Sequence, residues 1–471
     1  ESLESTCRRI VIATNIAETS LTVPGIVYVV DPGVVKLKRY DAATGIETLD
    51  VEQISKVQAT QRAGRAGRTQ AGKCYRLYTK ENFQLDFADA TEPEIQRTSL
   101  VNVVLYLKSL ELEDMDVLRF DFLDRPKESA LKDALKQLYV LDAIDENGKI
   151  TKIGKEMSPL PLEPNLARAM LEAKKLGCVE ECATIAAMLS VDRLEVADSS
   201  SYSKSREYRG NPLQKIVSED AFALGDHIVF LRTFERWQRE RYRRDFAREY
   251  SLSERGLEFA KDVRRQLLDS LRSLEDDNDV GLSKRSRGKE EKREEEEEQQ
   301  RHSKNKSERS RTKNVRKALA KGFISKIARR GTASNCFKTF AFETKTLTEV
   351  HPSCARALAD EDGLLPDWIV YHEMVMTSRP FLRHVCKVEY EWIEDALPRL
   401  ESPIDVKKLS GGFYENERDF SSGGGPENGD TAANATNAQE DKTQQKVKQE
   451  EKANEARARF LARKKMKAGA K

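Results

Sequence analysis

Residues 277–312, DNDVGLSKRSRGKEEKREEEEEQQRHSKNKSERSRT, limit what this chain can fold into. The stretch holds almost no large apolar side chain, so it cannot bury enough surface to offset the entropy of ordering its backbone. Compact structure must therefore lie on either side of it. Residues 277–313 are expected to be a charged disordered insertion, with at most transient helix around the Glu run. From 401 the sequence is Gly-, Asn-, Gln- and charge-rich, ends RARFLARKKMKAGAK, and is expected to be a disordered charged tail. The foldable blocks are then 1–276 and 314–400.

At roughly 100–200 residues per domain, 471 residues suggest about three to five units. Lys and Arg (81) nearly balance Asp and Glu (79), so net charge argues for no partner, and any nucleic-acid surface has to come from local patches. No apolar run approaches the ~20 residues that span a bilayer, so no membrane partner is expected. The chain opens ESLESTCRRIVIA, with neither an initiator Met nor a basic-then-apolar leader, and reads as cut from something longer. Its seven Cys (7, 74, 178, 182, 336, 354 and 386) include no CxxC pair and lack the density of a disulfide framework, which points to a reducing compartment. Cys178 and Cys182, four apart on an expected helix, are read as small buried residues rather than half a metal site. The five His are scattered, and no metal centre is expected.

Residues 9–14 (RIVIAT) and 26–31 (IVYVVD) are short β-branched runs, expected to be buried parallel strands. Between them lies a polar loop carrying Thr14, Thr19, Ser20 and Thr22. Residues 34–52 read as a hairpin around Ala43-Thr44-Gly45, its first arm bearing Lys36, Lys38 and Arg39. A helix through QRAGRAGR (61–68) and a strand CYRLYT complete a parallel α/β piece, a sheet type that binds ligands in the loops at its strand ends. From 96 the apolar spacing becomes helical. SLVNVVLYLKSL and SALKDALKQLYVL, with Asn147-Gly148 between AIDE and KITKIG, describe helices followed by a small hairpin, hence a winged helix over 96–160. Residues 161–276 are expected to form a helical bundle, packed in part by Trp237 and the other aromatics of FLRTFERW. Residues 314–400 hold about five strand-like runs (FISKIA, FKTFAFE, TLTEVHP, WIVYHEMVM and HVCKVEYEWI), expected to close as a small β-barrel of OB-fold type. The fold class is therefore multidomain, α/β plus α plus β.

In QRAGRAGR, Arg62, Arg65 and Arg68 stand three apart, and the Ala and Gly between them add no bulk. On a helix such positions share a face, where like charges repel unless an anion lies opposite. Arg grips phosphate with a planar fork and stays charged at any working pH. The pattern suits a phosphate chain; it suits a solvated basic helix end equally well.

ATNIAETSLTVPGIVYVVDPG (13–33), followed by QRAGRAGRTQAGKCYRLYT (61–79), resembles motifs V and VI of the DEAH-box RNA helicases. The order of the rest agrees. Residues 96–160 resemble the family's winged helix, 161–276 its helical ratchet bundle and 314–400 its C-terminal OB-fold, where VHPS (350–353) and VYHEMVMTSRPFLRHV (370–385) are similar to stretches typical of that module. Residues 1–95 would then be part of the second RecA-like lobe. By this resemblance ATP, with Mg2+, would sit between two such lobes, motif VI facing the triphosphate. Gln61 would contact the γ-phosphate or the attacking water. Arg65 and Arg68 would act as arginine fingers, since positioned cations are the main protein contribution to phosphoryl transfer. Ser20 and Thr22 would lie near the nucleotide, and Thr14 and Asn15 would touch the RNA backbone without reading its sequence.

Arg62 would support the lobe through ion pairs, and the hairpin with Lys36 and Lys38 would separate or guide strands. Arg264, with Lys261 and Arg265, would line an RNA channel, although an exposed helix face explains them as well. Thr377, Ser378 and Arg379 match a position where the family's barrel meets RNA. The partners implied are a single-stranded RNA segment, bound independently of sequence, and an activator protein with a glycine-rich motif on the winged helix.

The departures are as informative. The chain has no GxxxxGK[ST] and no DEAH, so the P-loop, most Mg2+ ligands and the catalytic acid would belong to a first lobe outside these residues. These residues alone are not expected to hydrolyse ATP. Pro24 stands where relatives often carry a polar or acidic residue. KRSRGKEEKR and the closing RKKMK resemble nuclear-localisation patches, so the nucleus is expected, with the cytoplasm as the other option, and work on pre-mRNA or ribosomal RNA. The competing reading is a non-catalytic RNA-binding adaptor with a relic motor, against which intact Gln61, Arg65 and Arg68 argue. A DNA-directed helicase of related build would be told apart by strand preference, because the 2′-hydroxyl separates RNA from DNA.

Overall fold

The computed structural model describes residues 8–68, 70–112, 115–191, 194, 212–278, 297–331, 335–340, 347–376, 379–401 and 403–411. A one-turn helix α1 (Ile16–Thr19) precedes β1 (Tyr28–Asp31), which pairs in parallel with β4 (Lys73–Arg76), Tyr28 opposite Lys73 and Asp31 opposite Arg76. IVYVVD is thus a parallel strand, as its β-branched run indicates, but not a buried one: Tyr28, Val30 and Tyr75 are each more than half exposed. RIVIAT is not a strand. Ile10 is 85% and Ile12 96% exposed, because an extended run becomes a strand only beside a partner, and none of the described residues provides one.

Strands β2 (Val34–Asp41) and β3 (Ile46–Gln53) form the expected hairpin, in register from Val34–Gln53 to Asp41–Ile46. Asp41 sets its turn by accepting the Ala43 amide and the Thr44 hydroxyl. Alternation along β2 turns Val35 and Leu37 inward, onto Ile54, Ala59 and Phe87, and Lys36 and Lys38 outward. Helix α2 (Lys56–Gly64) starts at a capping box in which the Ser55 hydroxyl accepts the Gln58 amide and the Gln58 side chain returns to the Ser55 amide. It ends at Gly64. Arg62, Arg65 and Arg68 therefore do not share one helical face: Arg65 closes the helix and Arg68 lies beyond it. Helix α3 (Lys80–Leu85), capped by the Thr79 hydroxyl, follows β4.

Helices α4 (Glu94–Arg97), α5 (Val101–Ser109), α6 (Glu128–Val140) and α7 (Lys152–Met157) come next. The hairpin expected around Asn147-Gly148 is reduced to one antiparallel bridge, Ile144 to Ile150. The bundle consists of α8 (Pro164–Leu176), α9 (Val179–Leu189), α10 (Glu219–Phe222), α11 (Asp226–Arg239), α12 (Arg244–Glu249) and α13 (Glu254–Asn278). Proline opens α8 and a left-handed Gly177 closes it. One apolar core runs from Val104, Leu135 and Leu138 through Met170 and Ile185 to Phe234. Trp237 is 2% exposed, edge-on to Phe234 and Tyr242, and packs the bundle as its spacing indicates. Cys178 and Cys182 are buried, and the described residues contain no grouping of three metal-ligating side chains.

Helix α14 (Glu297–Gly322) corrects the expectation that 277–313 is disordered throughout. Its last turns bury Val315, Ala318 and Leu319, and a Cβ added to Gly322 would sit 2.4 Å from the Ala169 side chain of α8. That burial anchors the helix, and charged turns poor in apolar surface but rich in good helix formers propagate from the anchored end. Residues 279–296 lie outside the described residues. Strands β5 (Ile327–Arg330), β6 (Cys336–Thr339), β7 (Leu347–Val350), β8 (Trp368–Met376) and β9 (Pro380–Lys387) close a barrel in the order β5-β6-β7-β9-β8, with only β7 and β9 parallel. Helix α15 (Pro352–Leu358) lies between β7 and β8 in sequence. Ala328, Phe337, Ile369, Tyr371 and Leu382 fill the core, and Ile46 from the tip of the β2–β3 hairpin joins them.

The bundle meets the barrel at Gly225, which bridges to Cys386; a Cβ there would lie 2.3 Å from the Val385 carbonyl oxygen. The tail expected to be disordered from 401 instead begins folded. After α16 (Leu397–Glu401), α17 (Val406–Ser410) packs on α6, with Leu409 2% exposed against Gly148. Lys108 of α5, itself buried, donates to the Ser410 carbonyl at 3.0 Å. Residues 412–471 lie outside the described residues. No described helix is long and apolar enough to cross a membrane.

Candidate functional site

The capped start of α2 aims its next turn at α1 and β1. Gln58 Nε2 donates to Glu18 at 3.1 Å, and Arg62 Nε donates to the other oxygen of the same carboxylate at 2.8 Å. Arg62 Nη1 reaches Asp31 at 2.7 Å and Nη2 the Val34 carbonyl at 3.1 Å. Asp31 is fully buried and also accepts the Gly33 amide and the Tyr78 hydroxyl. Burial opposes the charge on Arg62, but its two carboxylates more than offset that, and its pKa lies above the ordinary Arg value. Burial first, then donation to Asp31, pushes the Tyr78 hydroxyl upward as well. Arg62 is thus saturated by protein, the ion-pairing role implied for it. Sequence reading missed Glu18 and Asp31. The only signal was a carboxylate closing an otherwise apolar strand.

Arg65 is in the opposite state. Its Nε and Nη1 are buried and have no hydrogen-bond partner among the described residues. Leaving a buried donor unpaired costs about 1–3 kcal/mol, and more when it is charged. Gln61, half-buried on the same helix, makes no side-chain hydrogen bond among the described residues. Arg68 donates to the Thr22 hydroxyl, so two residues expected to face a nucleotide meet across the loop. Ser20 is exposed, its hydroxyl 3.4 Å from that of Thr19. Thr14 and Asn15 are exposed where α1 begins, and Asn15 makes no capping bond with its side chain. Unpaired guanidinium nitrogens beside an amide and hydroxyls fit a triphosphate.

Lys36 and Lys38 project outward from a hairpin held at three heights. At its base, Val35 and Leu37 sit in the core with Phe87. At mid-height, Tyr40 donates to Asp133 of α6 at 2.6 Å, and Gln137 donates to both. Arg39 pairs with Glu52 and Glu92, and its hydrogen bonds hold the Glu52 carboxyl below the usual range. At the tip, Ile46 enters the barrel core. No local pattern in the sequence marks Tyr40, Asp133 or Ile46 as partners.

Arg264 is not on an open face. It donates to the Thr184 hydroxyl at 2.8 Å and to Glu180 at 3.1 Å, and lies 5.9 Å from the Phe234 ring centre, so the bundle itself holds it. Arg379 pairs with Glu349 at 2.8 Å and lies over Phe381. Thr377 and Ser378 lie outside the described residues.

Three family models match the chain. Residues 134–162 match the winged-helix part of the helicase-associated domain HA2, residues 163–253 its ratchet-like part, and residues 315–400 an oligonucleotide/oligosaccharide-binding (OB) fold. Among curated proteins, the pre-mRNA-splicing factor ATP-dependent RNA helicase prp22 of Schizosaccharomyces pombe is 34% identical over 403 residues, 86% of this chain. The chain spans 31% of that relative's length.

Proposed function

This chain is a C-terminal region of a DEAH-box helicase, and we propose that in the whole protein it forms the second half of an ATP-driven motor acting on RNA. Residues up to 95 act as part of the second RecA-like lobe. Gln61 orients the attacking water or the γ-phosphate; Arg65 and Arg68 stabilise the charge that develops as the γ-phosphoryl group leaves. Mg2+ takes its ligands mainly from the first lobe. Ser20 and Thr22 report on the nucleotide, and the Arg68–Thr22 bond links that report to Thr14 and Asn15, which grip the RNA backbone. Lys36 and Lys38 guide the strand along the hairpin, with Arg379, Thr377 and Ser378 meeting it at the barrel. Arg264 takes part only by giving up its bond to Thr184. The carrying observation is the contrast within one helix turn: Arg62 is saturated by protein acids, whereas Arg65 keeps buried nitrogens with no partner among the described residues.

The relative's splicing role favours pre-mRNA as substrate and the nucleus as location, and the winged helix is where a glycine-rich activator would dock. The test is RNA-stimulated ATP hydrolysis by the intact protein. Arg65→Ala and Arg68→Ala should each lower the rate by about 10³-fold or more with RNA binding intact. Unchanged rates, or no RNA stimulation in the wild type, would leave a non-catalytic RNA-binding adaptor.

A further inference from the structure

The outer wall of the barrel carries a set of side chains that the motor does not use. Arg329 of β5 stands directly opposite Lys338 of β6 on one side and Trp368 of β8 on the other. Directly opposed residues share a face, so the three form one row across adjacent strands, while their neighbours Ala328, Phe337 and Ile369 point into the core. Phe340, two residues beyond Lys338, stacks on Trp368 with ring centres 5.7 Å apart and planes at 21°. Tyr390, 44% exposed, lies 5.9 Å from the same indole. The Arg329 guanidinium is 5.4 Å from the Trp368 ring centre and the Lys338 ammonium 5.8 Å from that of Phe340.

Like charges directly opposite each other on a sheet are destabilising. Neither cation has an ion pair among the described residues, and the nearby Asp367 is engaged by Arg330 at 2.7 Å. A cation over each ring accounts for where the side chains rest, but it does not relieve the repulsion between them. An anion laid along the row would. Phe340 and Trp368 are half-buried against the apolar core and Tyr390 is exposed; rings flanked by cations are the means by which proteins hold single strands, bases on the rings and phosphates on the charges.

We propose that this wall binds single-stranded RNA, two phosphates lying on Arg329 and Lys338 and a base stacking on the Phe340–Trp368–Tyr390 cluster. Trp368 opens β8, whose nine residues span about 26 Å at a rise of ~3.3 Å, and Arg379 lies beyond the other end. The wall is thus a second contact, separate from the one expected at 377–379, and the strand it holds lies outside the motor's own grip. The proposal rests on the reading of this protein as acting on RNA.

The test measures binding of a single-stranded uridine oligonucleotide to the intact protein by fluorescence anisotropy over a range of salt. Arg329→Ala with Lys338→Ala should weaken binding roughly 10–30-fold near ~0.1 M salt and flatten the log–log salt slope by about 1.4, two contacts at about 0.7 each. RNA should quench the indole emission of the wild type more than that of Trp368→Phe, because Trp237 and Trp392, this chain's other two indoles, are buried. Arg329→Lys, which keeps the charge, should keep the slope. If the double variant leaves affinity and slope unchanged while ATP hydrolysis remains RNA-stimulated and sensitive to Arg68→Ala, the wall is overturned and the motor stands. A wild type with no RNA-stimulated hydrolysis overturns the motor, and the slope and quenching still decide whether the wall binds RNA.

Discussion

Arg62 and Arg65 are one residue type in one helix turn with opposite energetics. Asp31 is fully buried against Arg62, so Asp31→Ala leaves a cation short of its partner and should cost about 3–5 kcal/mol in urea denaturation. Arg65→Met removes nitrogens that have no partner among the described residues and should leave the midpoint unchanged or raised. A loss as large as that of Asp31→Ala would mean Arg65 has a structural role. Buried histidines add a pH dependence. Burial holds His227 near a pKa of about 4 and His384 near about 3, both below the ordinary ~6.5. The unfolded chain therefore binds more protons than the folded one below about 6.5, and stability falls as pH drops from there towards about 3. The urea midpoint should decline through that window as pH falls, and His227→Phe should shallow the decline. The spacing in QRAGRAGR suited a phosphate chain and a solvated helix end equally well. It could not separate Arg62 from Arg65, because the acids that distinguish them, Glu18 and Asp31, lie far off in sequence.

Elements were legible where one local pattern decides them. The hairpin announced itself by alternation around Ala43-Thr44-Gly45, the barrel by its string of short runs, and the bundle by helical spacing. RIVIAT misled because strand formation depends on a neighbour that no local pattern encodes. The start of α14 misled because composition weighs a segment by itself, whereas this one grows from a buried end at Val315–Leu319. The same dependence on distant contacts governs the hairpin tip. Ile46→Asp would put a charge into the barrel core, so amide exchange across 34–53 should quicken while that of the bundle stays slow. Equal protection of 34–53 in both proteins would mean that Ile46 does not anchor the tip.

At the scale of the whole molecule, module order was readable and closure was not. Lys108 meets Ser410 across 302 positions, and no periodicity signals such a contact. Gly148 leaves room for α17: a Cβ there would lie 2.0 Å from the Leu409 carbonyl oxygen. Gly148→Ala should therefore release α17 and make the segment 403–411 markedly more susceptible to protease, with the bundle resistant. Susceptibility equal to the wild type would mean that α17 does not depend on that space. The hairpin touches α6 through Tyr40 and the barrel through Ile46, and α17 ties the barrel's own chain back to α6. Three members joined at three corners make a truss. A truss cannot shear unless one side lengthens, so a push on the hairpin reaches two corners at once, and the frame swings as a single lever instead of folding at a joint.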